Sequence, residues 1–253
     1  MNQIRKILLL TYFHMCARYR RALAGFFWVI ANPILTFVIQ SLVFKSILKV
    51  EIYNYPTFLL AGLMPWFFIS QSLYVVTNCL VNSREVLLGF KIHPIIIVSS
   101  QVLDQFVSFL AAFLLTALIL LKYDFSNLIF LKLGMVFVST FILCIFVLLI
   151  TNLVAFWHVF YRDVQFIVQF IMNLAFYLTP IFYPRDILPQ KYQWIISLNI
   201  FYPFIKMYQD SMYSLNVSSW TANLYICLMT IGSLVLLIHL SYKIKMKDFY
   251  INV

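Results

Sequence analysis

Residues 128–157 read LIFLKLGMVFVSTFILCIFVLLITNLVAFW, a thirty-residue stretch in which Lys132 is the one Lys, Arg, Asp or Glu. A helix rises 1.5 Å per residue, so about 20 residues cross the roughly 30 Å of bilayer hydrocarbon. The stretch is longer than a span needs, so part of it forms a loop or extends past the bilayer. Working outward, further apolar runs meet the same length test at 25–48, 57–79, 95–121, 164–183 and 220–242. Composition agrees with lipid as the solvent. Of 253 residues, 64% are hydrophobic and 10% charged, and the mean hydropathy is +0.94. A soluble domain carries about 25% charged residues, because its surface faces water. The expectation is an all-α integral membrane protein with six transmembrane helices, an N-terminal interfacial helix, and external helices between spans five and six.

Orientation follows from Lys and Arg near the span ends. One side holds Arg5, Lys6, Arg18, Arg20, Arg21, Arg84, Lys91, Arg162, Lys243, Lys245 and Lys247, against seven on the other. Both termini are therefore expected in the cytosol. The net charge of +10 has no basic soluble domain in which to act on nucleic acid. Its densest cluster abuts the first span, where it meets anionic lipid and fixes orientation. Cys16, Cys79, Cys144 and Cys227 lie far apart, with no disulfide framework or zinc spacing. No cleavable signal is expected, because Arg18, Arg20 and Arg21 interrupt residues 1–21.

Three connecting segments stand out. Residues 2–24 form a helix expected at the cytoplasmic surface, with Ile4, Ile7, Leu8, Thr11, Met15 and Tyr19 on one face. Leu10 and Phe13 fall among charged residues on the other face, which fits cover by a protein partner better than a purely interfacial helix. Between spans two and three, Asn82 and Glu85 resemble a capping box. The pattern fits an ordinary capped loop as well as a short cytosolic helix over 83–89. Residues 183–219 interleave Pro184, Pro189 and Pro203 with Tyr183, Tyr192, Trp194, Tyr202, Tyr208 and Tyr213. Aromatics with polar tips favour the membrane–water boundary. Two short re-entrant or interfacial helices near 187–197 and 203–215 are expected on the external face.

Catalytic patterns are missing. Gly25, Gly62, Gly89, Gly134 and Gly232 are isolated, so no phosphate-cradling loop exists and the chain alone cannot hydrolyse ATP. His14, His93, His158 and His239 lack metal-binding spacing. Asp104 is the one carboxylate read inside a span, either as polar glue or as part of a proton relay. No second intramembrane carboxylate or Lys completes a relay. The aromatics Phe26, Phe27 and Trp28 open span one, and Phe166, Phe170, Phe176 and Tyr177 follow span five. They either pack and face lipid, or line a channel where ring faces stack on sugar rings.

Several motifs carry a resemblance. Arg18-Tyr19-Arg20-Arg21, Gly25-Phe26-Phe27-Trp28 and Asn32-Pro33 are followed by Leu60-Ala61-Gly62-Leu63 and Pro65-Trp66. Then come Tyr161-Arg162-Asp163-Val164, Tyr177-Leu178-Thr179-Pro180-Ile181, Tyr183-Pro184 and Lys191-Tyr192. Together they resemble the membrane subunits of O-antigen and teichoic-acid exporters, of the ABC-2 transporter class, in the same order along most of the chain. Two steps depart from the pattern. Ile92-His93-Pro94-Ile95 lacks a basic residue after its proline, and Asn199 and Pro203 are separated.

The resemblance implies a homodimeric permease in the inner membrane, bound to two copies of a separate ATPase chain. It implies export of a polyprenyl-pyrophosphate-linked, O-antigen-like polysaccharide. Residues 1–24 would be the interface helix and 25–253 the transmembrane domain. The coupling helix would be Asn82, Ser83, Arg84, Glu85, Val86, Leu87, Leu88, Gly89, Phe90 and Lys91. External gate helices would occupy 184–215, with Tyr183, Pro184, Tyr192, Trp194, Tyr202, Pro203 and Tyr208. Spans one and five would line the channel. The chain itself would hold no cofactor; ATP and Mg would sit on the partner. Arg18, Arg20 and Arg21 are read either as lipid-pyrophosphate contacts or as topology signals. The rival readings are an ABC-2 exporter of a small molecule or other lipid, and a membrane-embedded transferase. The latter needs converging His, Asp or Glu, which the scattered residues do not offer.

Overall fold

The computed structural model describes residues 3–19, 25–47, 52–90, 92–123, 129–187 and 189–252. The elements in order are α1 (Gln3–Tyr19), α2 (Gly25–Ser41), α3 (Tyr55–Val76), α4 (Cys79–Asn82), α5 (Arg84–Phe90) and α6 (Pro94–Tyr123). They continue with α7 (Ile129–Phe160), α8 (Val164–Leu178), α9 (Gln193–Leu198), α10 (Tyr202–Gln209) and α11 (Val217–Asn252). A π-helical turn, Leu42–Ile47, extends α2, and another, Asp210–Ser214, extends α10. No strand occurs among the described residues.

Three described helices are long and apolar enough to cross a membrane: Tyr55–Val76, Phe130–Phe160 and Val217–Met246. Shorter apolar helices, Ile34–Lys45, Pro94–Leu110 and Val164–Leu178, match three more of the expected runs. The central helix is α3. Its apolar window is 78% buried, against 17% for α11, which lies at the rim. Around α3 pack α6, α7, α8 and α10, and α11 lies along α7 and α10. The core between them is built of side chains such as Leu59, Leu63, Ile69, Phe146, Phe156 and Phe204.

Several boundaries differ from the sequence reading, each for a local reason. The described part of the long apolar run belongs to one helix, Ile129–Phe160, and the last helix runs ten residues past 242. Span five stops at Leu178 rather than 183, because Thr179 precedes Pro180 and takes the extended conformation (ψ 132°) that proline imposes. The expected cap at Asn82 shifts by one residue. Asn82 closes α4, its N–H donating to the Asn78 carbonyl at 3.0 Å, and the Ser83 carbonyl accepts from Leu87 N at 2.9 Å to start α5. The helix expected near 187–197 is broken into short 3-10 turns at Arg185–Ile187 and Gln190–Tyr192 before α9. Pro189, with ψ 141°, separates them.

Candidate functional site

The residues expected to carry function lie in three places: on α1 and α5, on the outer sides of α2 and α8, and at the other end of the bundle around α9 and α10.

At the first end, α5 is held by Leu87, which is fully buried, while Leu88 and Phe90 are 42% and 76% exposed. Arg84, Glu85 and Gly89 are also exposed, and Val86 is half-buried. Leu87 thus anchors this short helix, and its two neighbouring large apolar side chains stand outward. Beside it, α1 packs along α6. The Thr11 hydroxyl, which also contacts the Ile7 carbonyl at 2.9 Å, reaches the Ser100 carbonyl at 3.1 Å. The Gln101 amide nitrogen meets His14 Nδ1 at 3.0 Å. The packed side of α1 is thus rotated from the apolar face read in the sequence. It includes Leu10 and His14, and leaves Ile4, Leu8, Tyr12 and Phe13 about 60% exposed. Hydrogen bonds to α6, rather than apolar periodicity, set the register. Arg20, Arg21 and Lys91 lie outside the described residues, as do the side chains of Arg18, Phe26 and Trp28.

On the flank, Phe166, Phe170 and Tyr177 of α8 are 60–69% exposed, and Phe27 of α2 is 62% exposed. The spacing of the α8 three places them on one face. Phe176 turns the other way, packing against Trp66 at 5.8 Å and Phe182 at 4.9 Å. The two readings of these aromatics therefore divide: Phe176 is a packing residue, Phe166, Phe170 and Tyr177 stand open on one face of α8, and Phe27 stands open on α2. An apolar groove of about 390 Å³ runs between α7, α8 and α9, lined by Ile150, Val154, Met172, Leu178 and Leu198 among others.

At the opposite end, residues 179–183 turn inward and are pinned from four directions. Gln209 donates to the Pro180 carbonyl at 2.8 Å, and Asn199 Nδ2 to Thr179 Oγ1 at 2.7 Å. Tyr55 donates to the Phe182 carbonyl at 3.3 Å, and Phe44 stacks on Phe182 at 4.7 Å. The expected gate residues do not form one cluster. Tyr202, Pro203 and Tyr208 are buried within the bundle, with Tyr208 Oη 2.7 Å from Thr140 Oγ1. Tyr192 and Trp194 are 47% and 60% exposed, while Tyr183 and Pro184 are half-buried. The sequence reading missed Asp210, which is fully buried and paired with Lys206 Nζ at 2.9 Å. Ser214 Oγ also donates to its Oδ1 at 3.1 Å. The signal was the i, i+4 spacing of Lys206 and Asp210. Asp104 is buried on α6. Among the described residues no cluster of His, Cys, Asp and Glu could hold a metal.

Comparison with known proteins gives this arrangement a context. Residues 5–213 match the sequence profile of a family described as "ABC-2 type transporter". The chain is similar to an O-antigen export system permease protein RfbA of Klebsiella pneumoniae, 30% identical over 192 residues that cover 72% of this chain and 70% of that protein. A second Klebsiella pneumoniae protein of that name is 28% identical over 203 residues, covering 76% and 74%. One from Myxococcus xanthus is 27% identical over 199 residues, covering 78% and 76%.

Proposed function

This chain belongs to the ABC-2 type transporter family, and from that premise we propose that it is the membrane permease subunit exporting an O-antigen-like polysaccharide. The observation that carries the reading is the agreement of the family match over 5–213 with three relatives that are all O-antigen export permeases. The finer picture is a homodimer in the inner membrane with six spans per chain and both termini cytosolic. A separate ATPase chain binds ATP and Mg.

In this reading the end carrying α1 and α5 faces the ATPase. Leu88 and Phe90 enter the partner, and the outward side chains of α1 lie beside them. Closure of two ATPases on ATP then pushes both helices, and α6 moves with them because α1 is hydrogen-bonded to it and α5 continues into it. The chain supplies no chemistry of its own; it converts that push into separation of two protomers along α2 and α8. Phe27, Phe166, Phe170 and Tyr177 would offer flat apolar faces to sugar rings. Arg18, Arg20 and Arg21 would draw the lipid pyrophosphate by charge-assisted hydrogen bonds. At the external end, α9 and the pinned turn at 179–183 would form the exit.

The deciding experiment is deletion of the gene with complementation, read as surface polysaccharide, together with copurification from detergent extracts. Loss and restoration of the polymer, with an ATPase retained on the tagged permease, is the expected result. A purified chain that retains no ATPase, in cells whose polymer is unchanged by the deletion, would overturn the reading.

A further inference from the structure

The helix α11 has 36 residues, about 54 Å at 1.5 Å each, while the hydrocarbon is roughly 30 Å thick. Its last turns therefore run past the apolar layer, and they are packed rather than free. Phe249 is fully buried and stacks on Phe156 of α7 at 5.5 Å, with the ring planes 3° apart. Tyr242 stacks on the same Phe156 at 4.5 Å. Trp157 Nε1 donates to Ser241 Oγ at 3.2 Å, and Lys245 Nζ lies 5.9 Å from the Phe160 ring centre. The end of α11 and the end of α7 form one aromatic block.

A residue of the short link between α5 and α6 reaches this block. His93 lies three positions after Phe90, the last residue of α5, and directly before Pro94, which opens α6. Its ring is nearly parallel to that of Tyr242, 8° between planes and 5.9 Å between centres. The imidazole is held in place, since Nδ1 accepts from the Ile95 N–H at 3.4 Å and the His93 carbonyl from Ile96 N at 3.0 Å. Removal from water lowers the His93 pKa below that of a free imidazole. That favours the neutral ring, the form in which Nδ1 can accept. The Tyr242 hydroxyl donates to Asn152 Oδ1 of α7 at 2.8 Å, and Asn152 is buried.

We propose that Tyr242 is a positioning residue through which displacement of α5 reaches α7 and α11, by way of the His93–Tyr242–Asn152 contacts. Along the chain, α5 is joined to α4 and α6 alone. α4 and α6 already pack against α7, so what the stack adds is a direct line from His93 to Tyr242 of α11 and through its hydroxyl to the buried Asn152 of α7. This inference rests on the reading that α5 is where the ATPase pushes. Rings in contact and a buried hydrogen bond transmit displacement because packed side chains resist compression and have no slack to absorb it.

The test uses the whole complex of permease and ATPase. Two readouts are measured for each variant: surface polysaccharide in cells, and ATP hydrolysis by the purified complex. For Tyr242→Leu, export should fall about tenfold, in the range of energetic couplings between sites, while assembly and hydrolysis stay within about twofold. Tyr242→Phe keeps the ring and should restore part of export. His93→Ala leaves the α7–α11 block intact and should reproduce the uncoupling even where Tyr242→Leu folds poorly; His93→Phe should rescue it. Normal export by His93→Ala, or equal loss of hydrolysis and export in both variants, overturns the proposal. Phe90→Ala separates this from the docking reading. If that variant releases the ATPase while His93→Ala exports normally, the relay alone is wrong. Full ATPase retention by Phe90→Ala counts against the docking reading itself.

Discussion

Gly62 sits where α3 passes the inward turn of residues 179–183, and a Cβ there would lie 3.1 Å from both Cγ2 and the carbonyl oxygen of Ile181. Backbone cannot retreat as a flexible side chain can. Gly62→Ala should therefore destabilise the protein by about 1–3 kcal/mol, the usual cost of overpacking. The measurement is the apparent unfolding temperature of the detergent-solubilised chain beside Gly232→Ala, where a Cβ meets open space. Nothing in the motif Leu60-Ala61-Gly62-Leu63 announces this contact, since Ile181 is more than a hundred residues away in sequence. The Lys206–Asp210 pair makes a second prediction at this scale. Lys206→Met strands a carboxylate that is fully buried, and breaking such a pair from one side costs about 3–5 kcal/mol. The double variant Lys206→Met with Asp210→Leu removes both charges and should recover much of that loss. A double variant less stable than the single one would show that the pair contributes net stability. The i, i+4 spacing was legible in the sequence; the burial was not, because it depends on α10 being enclosed by α3, α7 and α11.

At the scale of elements, α5 leaves Leu88 and Phe90 exposed while Leu87 holds it to the bundle, and the proposed docking would cover them. Burying a phenyl ring that is now 76% exposed is worth about 2 kcal/mol, or roughly thirtyfold in affinity. Phe90→Ala should weaken ATPase association by that order with no effect on membrane insertion, as read by copurification and by the amount of chain in the membrane. Unchanged ATPase recovery would remove α5 from the contact. The sequence left this segment open between a capped loop and a short helix, and the structure forms the helix. Its start could not be read, because α4 absorbs Asn82 and moves the boundary. For α1 the sequence misjudged the packed face. Thr11 and His14 choose the face by hydrogen bonding to Ser100 and Gln101, an interaction that apolar periodicity does not encode. The segment holding α9 and α10 was legible as short helices rich in aromatics. Which of them is enclosed was not, since α9 and α10 carry similar side chains and only α10 enters the bundle.

For the whole molecule, the exposed faces of α2 and α8 are the surface on which a second copy is proposed to sit. In a Cys16→Ser background, Phe170→Cys should give a disulfide-linked dimer on mild oxidation, whereas Met229→Cys on the outer α11 should not. A crosslink from position 229 alone would place the dimer on the opposite side. Composition and spacing alone establish that lipid is the solvent, where the apolar runs lie, and that no phosphate-binding loop is present. Each is settled within a window of about 20 residues. The tertiary structure decided which helix is central, which aromatics pack and which stand open, and where Asp210 and Tyr242 find partners. A helix that is apolar on every side gives no signal of which side meets protein and which meets lipid. That choice is made by close packing and by a few long-range hydrogen bonds, and these exist only once the helices are side by side.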